Sequence, residues 1–138
     1  MTAVVVDSNP KHIFNTVTQG ANSTSTTTWN LGRDYVVEVL TIQIPEGHVG
    51  LTGIQVSYQG VFIVPWNDGT HFLVGNGLVE KFSLNLYTTG ILALTTVNTD
   101  KALAHKFYLR AQVREPTAPE VASATVLIPT ATLNADAP

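Results

Sequence analysis

A two-residue alternation governs the stretch HKFYLRAQVR, which runs from His105 to Arg114. Successive side chains of a β-strand point to opposite faces, so this pattern predicts an antiparallel strand with one face on a core and the other on solvent or a partner. Arg110 and Arg114 fall on the outward face. The face directed at the core consists of His105, Phe107, Leu109, Ala111 and Val113.

Several other segments also predict β-strands. LVEKFSLNL alternates in the same way, RDYVVEVLTIQI is apolar on both faces and predicts a more central strand, and GIQVSYQ, VFIVPW and ILALTTVN predict three more. HIFNTV and HFLV are candidates for additional strands. Turn residues (Gly, Pro, Asn and Asp) separate the runs at intervals of roughly 8 to 14 residues. Seven or eight short strands predict an all-β, antiparallel β-sandwich of jelly-roll type. An immunoglobulin-like sandwich is the alternative, although its Cys–Trp–Cys core is missing.

The two ends differ in composition from the middle. Residues 19–28, QGANSTSTTT, are interpreted as a polar loop within an N-terminal arm that covers residues 1–30. After Arg114 the chain is rich in Ala, Thr and Pro, and prolines confine any strand to a sheet edge. We therefore expect a sandwich domain over residues 1–115 and an extended C-terminal arm over residues 116–138.

Composition narrows the range of partners. Only 12% of residues are charged, about half the usual share, and the net charge is −3 without any basic run, so we expect no nucleic-acid partner. No apolar run approaches the roughly 20 residues that span a bilayer, and we expect no membrane partner. The N-terminal stretch lacks the basic start and long apolar run of a signal peptide, which favours a protein made in a cytoplasm.

The candidate chemical groups do not combine into a motif. None of the spacings among the four histidines matches a metal signature, so we expect independent turn or core histidines and no metal or other cofactor. Asp100 and His105 resemble the orienting half of a catalytic triad, but the sequence has no G-x-S-x-G nucleophile. A histidine on the core face, bonded to a turn carboxylate, also fixes a hairpin. We therefore expect a hairpin lock that leads into an edge or interface strand, and no enzyme.

Carbohydrate binding has more support in the sequence than catalysis or metal binding. Tyr58, Trp66, Asn67 and Asp68 are candidates for a glycan site, because aromatic rings pack on sugar faces and amide or carboxylate groups bond their hydroxyls. Trp29, Tyr87 and Tyr108 would widen the aromatic platform. The alternative interpretation is that Trp66 and Phe72 close the hairpin end of the core.

The order of motifs from Ile44 to Val113 resembles a group of small β-sandwich proteins that tailed bacteriophages encode as virion components on or near the head. The resemblance rests on the start IPEGHVGL, on Pro65, and on Asn98-Thr99-Asp100 followed by His105 and Arg110. It covers about half of the chain, and it implies that these positions are scaffold rather than a binding site. The first 40 residues and the C-terminal arm fall outside it.

These observations together favour a structural protein of a phage virion, most simply a capsid decoration subunit in contact with the major capsid protein and with neighbouring copies of itself. A carbohydrate-binding or receptor-binding module of a phage tail or a secreted protein is the alternative. The interface candidates are Val4, Val5, Val6, Arg110, Arg114, Val121, Val126, Leu127 and Ile128.

Overall fold

The computed structural model describes residues 11–65 and 70–121. It contains eight strands: β1 (Lys11–Gln19), β2 (Ser23–Asn30), β3 (Tyr35–Ile44), β4 (Thr52–Tyr58), β5 (Val61–Val64), β6 (Leu78–Thr88), β7 (Ile91–Asn98) and β8 (His105–Arg114). Residues 118–121 form a single helical turn. No helix in these two ranges has the length and apolar character needed to cross a membrane.

The strands form two antiparallel four-stranded sheets. Sheet A has the order β1-β8-β3-β6, and sheet B has the order β2-β7-β4-β5. Consecutive strands alternate between the sheets in the manner of a jelly roll, except that β4 and β5 pair within sheet B, and this arrangement confirms the predicted fold class. The core lies between the sheets and includes Leu40, Ile42, Ile54, Leu94 and Phe107, all with no exposed surface.

The predicted alternation is present along the whole of β8, with buried residues at every second position from His105. The strand lies at a different place in the sheet from the one predicted, however. It pairs with β1 on one side and with β3 on the other, so it is an interior strand and the prediction of an edge strand was wrong. Alternation reports which face of a strand is buried, but it carries no information about lateral neighbours.

The interpretation of residues 19–28 as a loop was also wrong, whereas the candidate strand HIFNTV is confirmed as part of β1. Only a tight turn at residues 20–22 separates β1 from β2. β2 pairs with β7 at every position from Ser23 to Asn30. Its Ser/Thr side chains suit a pleated strand, but they provide no apolar period before Trp29.

The outer sides of the two sheets differ. Residues 70–77 run beside β4, where Leu73 exchanges two backbone hydrogen bonds with Ile54. Phe72 covers Gly53 so closely that a Cβ atom there would lie 2.6 Å from the Cβ of Phe72, and the Gln55 amide donates to the His71 carbonyl at 2.7 Å. The outer side of β4 is therefore buried under the chain's own residues. On sheet A the outward side chains are exposed or half-exposed, except for Val36, which lies opposite Arg114 and is 1% exposed.

Candidate functional site

The loop between β7 and β8 is held by Asp100. One carboxylate oxygen accepts the backbone N–H groups of Ala102 and Leu103 at 2.9 and 3.2 Å, and the other lies 2.9 Å from Nε2 of His105. The N–H of Ala102, then the His105 ring and the N–H of Leu103, lower the pKa of Asp100 below its usual value of 3.8. This geometry confirms the predicted bond between Asp100 and His105, which we call the lock. The prediction that it closes a hairpin was wrong, because β7 and β8 belong to different sheets and the loop crosses from one sheet to the other.

A second histidine packs against this lock, and the sequence did not reveal it. His48, in the loop between β3 and β4, is 2% exposed, and its ring centroid lies 4.6 Å from that of His105. Its Nδ1 atom is hydrogen-bonded to the hydroxyl of Thr52, and the edge of Phe107 lies against the ring at 5.1 Å between centroids. The expectation of independent histidines was wrong for this pair.

Burial is the main cause of a lowered pKa at His48. The charge that His105 carries when protonated lowers it further, and a hydrogen bond with the backbone of Lys106 opposes both effects. Thr52, whose hydroxyl is bonded to His48, is 2% exposed. Neither His48 nor Thr52 faces an open cleft, so the geometry is that of a polar core.

The other two histidines lie elsewhere. His12 is exposed on the outer side of β1, and His71 lies in the segment beside β4. Within residues 11–65 and 70–121, no three His, Cys, Asp or Glu side chains are grouped in a way that suits a metal ion.

The residues of the glycan hypothesis are dispersed where they can be placed. The Tyr58 hydroxyl donates to Oγ1 of Thr89 at 3.3 Å and accepts the N–H of Thr89 at 3.0 Å. Trp29 is 4% exposed within the core, and Tyr108 lies on the outer side of sheet A, so neither shares a platform with Tyr58 in sheet B. The wider aromatic platform was therefore wrong for Trp29 and Tyr108. Tyr87, whose hydroxyl donates to Asp34 at 2.9 Å, lies close enough to Tyr58 for an electrostatic interaction between them. Trp66, Asn67 and Asp68 lie outside the described residues.

Arg110 lies on the outer side of sheet A, as predicted. Antiparallel register places Phe14 beside it on β1 and Thr41 beside it on β3, with Lys81 opposite Thr41 on β6. The neighbouring row of four paired residues, on the side of the loop that Asp100 holds, contains an exposed tyrosine and an exposed valine. We call these positions the basic face: Phe14, Arg110, Thr41 and Lys81; Thr16, Tyr108, Gln43 and Val79; and Thr18 with Lys106.

The basic face combines positive charge with exposed apolar surface. Phe14, Val79 and Tyr108 are 70%, 56% and 41% exposed. Lys81, Lys106 and Arg110 make up three of the seven cationic side chains in the chain. None of the ten positions of the face is a carboxylate, although the chain as a whole has a net charge of −3. The charge is therefore distributed unevenly over the molecule.

Arg114 lies beyond this face and is bound within the chain. Its guanidinium donates to both carboxylate oxygens of Glu120 at 2.6 and 2.8 Å, and its Nε lies 3.5 Å from Glu38. The Arg114 bonds, together with the N–H of Thr117, lower the pKa of Glu120 to about 2. Arg114 therefore ties the residue 118–121 turn to β8. Val121 is 39% exposed at the end of that turn.

The remaining interface candidates, Val4, Val5, Val6, Val126, Leu127 and Ile128, lie outside the described residues. Their proposed roles stay predictions.

No protein-family model and no curated protein sequence matches this chain. Among solved structures, the chain is similar to a protein of the cyanophage Pam1 capsid asymmetric unit, with 14% identity and a TM-score of 0.47 over 84% of this chain and 93% of that one. It is also similar to the carbohydrate-binding module CBM32-1 of a family 31 glycoside hydrolase from Clostridium perfringens, with 14% identity and a TM-score of 0.41 over 78% and 79% of the two chains. A Bacillus endospore appendage protein matches with 12% identity and a TM-score of 0.39 over 84% and 99%. Similarity this distant establishes neither family nor function.

Proposed function

We propose that this chain is a non-enzymatic structural subunit of a bacteriophage virion, which binds an assembled capsid as a decoration protein and stabilises it. The observation that carries the proposal is the basic face. It is a four-stranded surface that the described residues leave exposed or half-exposed, whereas His71 and Phe72 cover β4 on the other sheet. The order of motifs between Ile44 and Val113, which resembles head-associated phage proteins, supports the same assignment.

The chemistry of the basic face indicates an acidic protein surface as partner. Three cations without a carboxylate attract an acidic patch of a major capsid protein, and the apolar side chains Phe14, Tyr108 and Val79 supply area that loses water on contact. If the basic faces of two copies bound each other, their cations would repel. This disfavours a second copy of the chain as the partner of the basic face.

Stabilisation of a shell requires little affinity at each site. A specific contact buries on the order of 1,000 Å² or more, and one sheet face with its flanking loops supplies part of this. Copies repeated around a symmetric shell, in contact with one another, gain further from avidity. Placed across joints between capsid subunits, each copy opposes their separation.

A charge reversal at Arg110 tests the proposal. We expect the wild-type protein to co-sediment with undecorated capsids at micromolar concentration, and Arg110→Glu to raise the Kd at least about tenfold, because one reversed charge at a basic contact costs more than about 1.4 kcal/mol. Lys101→Glu is the matched control, since Lys101 is exposed in the loop between β7 and β8 and is not one of the ten positions of the face. Added salt should weaken the binding of the wild type.

Two results would contradict this function. The first is absence of capsid binding by a folded wild-type protein, and the second is equal binding by the Arg110 and Lys101 variants. The carbohydrate-binding alternative makes a different prediction, namely binding on a glycan array that Trp66→Ala abolishes. That outcome would replace the decoration assignment.

A further inference from the structure

The four sheet edges of the sandwich differ in how they are protected against pairing with other chains. Strand β5 is four residues long and is followed by Pro65. Strand β6 exposes Glu80 and Lys81 and contains an irregularity opposite Val37–Val39, where Asn85 adopts a positive φ of 49°. Strand β1 begins at Lys11, which lies 3.9 Å from Glu115. Short length, charge and bulges are the usual means of preventing edge-to-edge association.

Strand β2 has none of these devices. Residues 20–32 contain no charge and no proline. The strand is eight residues long and keeps one register with β7 throughout. In the described part of the chain no strand pairs with its other side, so half of its backbone N–H and C=O groups face outward.

The side chains of β2 leave the open edge accessible. Ser23 to Thr28 are all exposed, and several are tied back to the sandwich, so they do not block an approaching strand. Ser25 donates to the Gln19 side chain at 2.6 Å, and Thr26 shares a hydrogen bond with Thr95 at 2.9 Å. The edge is therefore straight and ordered, with small uncharged groups.

We propose that β2 of one copy pairs antiparallel with β2 of a second copy, so that the two B sheets join into one continuous sheet across a two-fold axis. A uniform Ser/Thr strand is complementary to itself, because the antiparallel copy brings hydroxyls opposite hydroxyls and no like charges. The contact is isologous, so it closes at two copies. It uses an edge of sheet B and does not depend on the proposed function of the basic face.

Single cysteines test this pairing cleanly, because the chain contains no cysteine of its own. A two-fold axis perpendicular to the sheet sets one residue directly opposite its own copy, at a Cα separation of roughly 4.5–5.5 Å that suits a disulfide. For a residue one position away, strand rise and spacing place the two copies about 8 Å apart, which is too far. Cysteines introduced one at a time from Ser23 to Thr28 should therefore cross-link at a single position. Thr16→Cys, on β1, is the matched control and should not cross-link.

Mass measured by light scattering gives a second, independent readout. We expect the wild-type mass to rise with concentration from 14.8 kDa toward twice that value. Thr24→Lys/Thr28→Lys should weaken the dimer at least tenfold, whereas Thr16→Lys/Thr18→Lys on β1 should leave it unchanged. A monomer at all concentrations up to millimolar, species larger than a dimer, or cross-linking spread evenly over the scan would each overturn the proposal.

Discussion

Replacement of Phe107 by alanine is expected to lower the free energy of unfolding by about 3–5 kcal/mol, a large part of the stability of a domain this size. The Phe107 side chain has no exposed surface and lies between the sheets, opposite Val17 on β1. Its removal leaves a cavity in the core and deprives the His48 ring of its edge contact. Both losses act on the folded state alone.

Phe14→Ala is the matched control for this prediction, since it makes the same substitution on the neighbouring strand. Phe14 is 70% exposed, so we expect its loss to change stability by no more than about 0.5 kcal/mol. Urea denaturation of both variants measures the difference. Equal destabilisation would show that Phe107 is not in the core, and would contradict the assignment of faces on β8.

The side chains of a strand that face the core could be predicted, because burial of one face requires apolar residues at every second position. In β8 and β6, apolar residues alternate with polar ones, and the structure buries the apolar side fully in β8 and partly in β6. Strand β2 shows where this reasoning fails. At the edge of a sheet, Ser23 to Thr28 are exposed on both sides. Burial therefore does not require an apolar residue at every second position of this strand.

The bond between Asp100 and His105 could be predicted because the two residues are five positions apart, whereas the crossing of their loop from sheet B to sheet A could not. The contact between His48 and His105 could not be predicted either, because it depends on how the loop between β3 and β4 reaches the loop between β7 and β8. A hydrogen bond from the Thr99 backbone to Leu51 joins these two loops at 2.7 Å. Such pairings between distant segments are a property of topology and register, which a single sequence does not display.

The same histidine pair predicts a decline in stability on mild acidification. The pKa of His48 in the folded state is below its ordinary value of 6.5, chiefly because of burial. Above pH 6.5 both folded and unfolded chains are neutral at this residue. As the pH falls below 6.5, the unfolded chain takes up a proton that the folded chain does not accept until its own lower pKa is reached. The unfolded state thereby binds more protons, and stability falls by at most about 1.4 kcal/mol per pH unit.

His48→Asn isolates this effect, because the asparagine amide retains a partner for Thr52 but does not titrate. We expect the variant to be less stable than the wild type at neutral pH, and to lose less stability as the pH is lowered. Thermal unfolding from neutral pH down to pH 4.5 measures both curves. Below pH 4.5 the carboxyl of Glu120, with a pKa lowered from 4.5 to about 2, begins to lose its own stabilising contribution, and Asp100 follows below 3.8.

His12→Asn is the matched control, since His12 is exposed on the outer side of β1. Its curve should keep the full slope of the wild type. A slope that survives in His48→Asn and disappears in His12→Asn would place the titrating group on the surface. Parallel curves for the wild type and both variants would show that the buried pair does not couple folding to pH at all. A reduced slope in His48→Asn alone would establish that coupling. The difference between the two curves would then give the stability that the protein loses at low pH because a second imidazole is buried against Asp100 and His105.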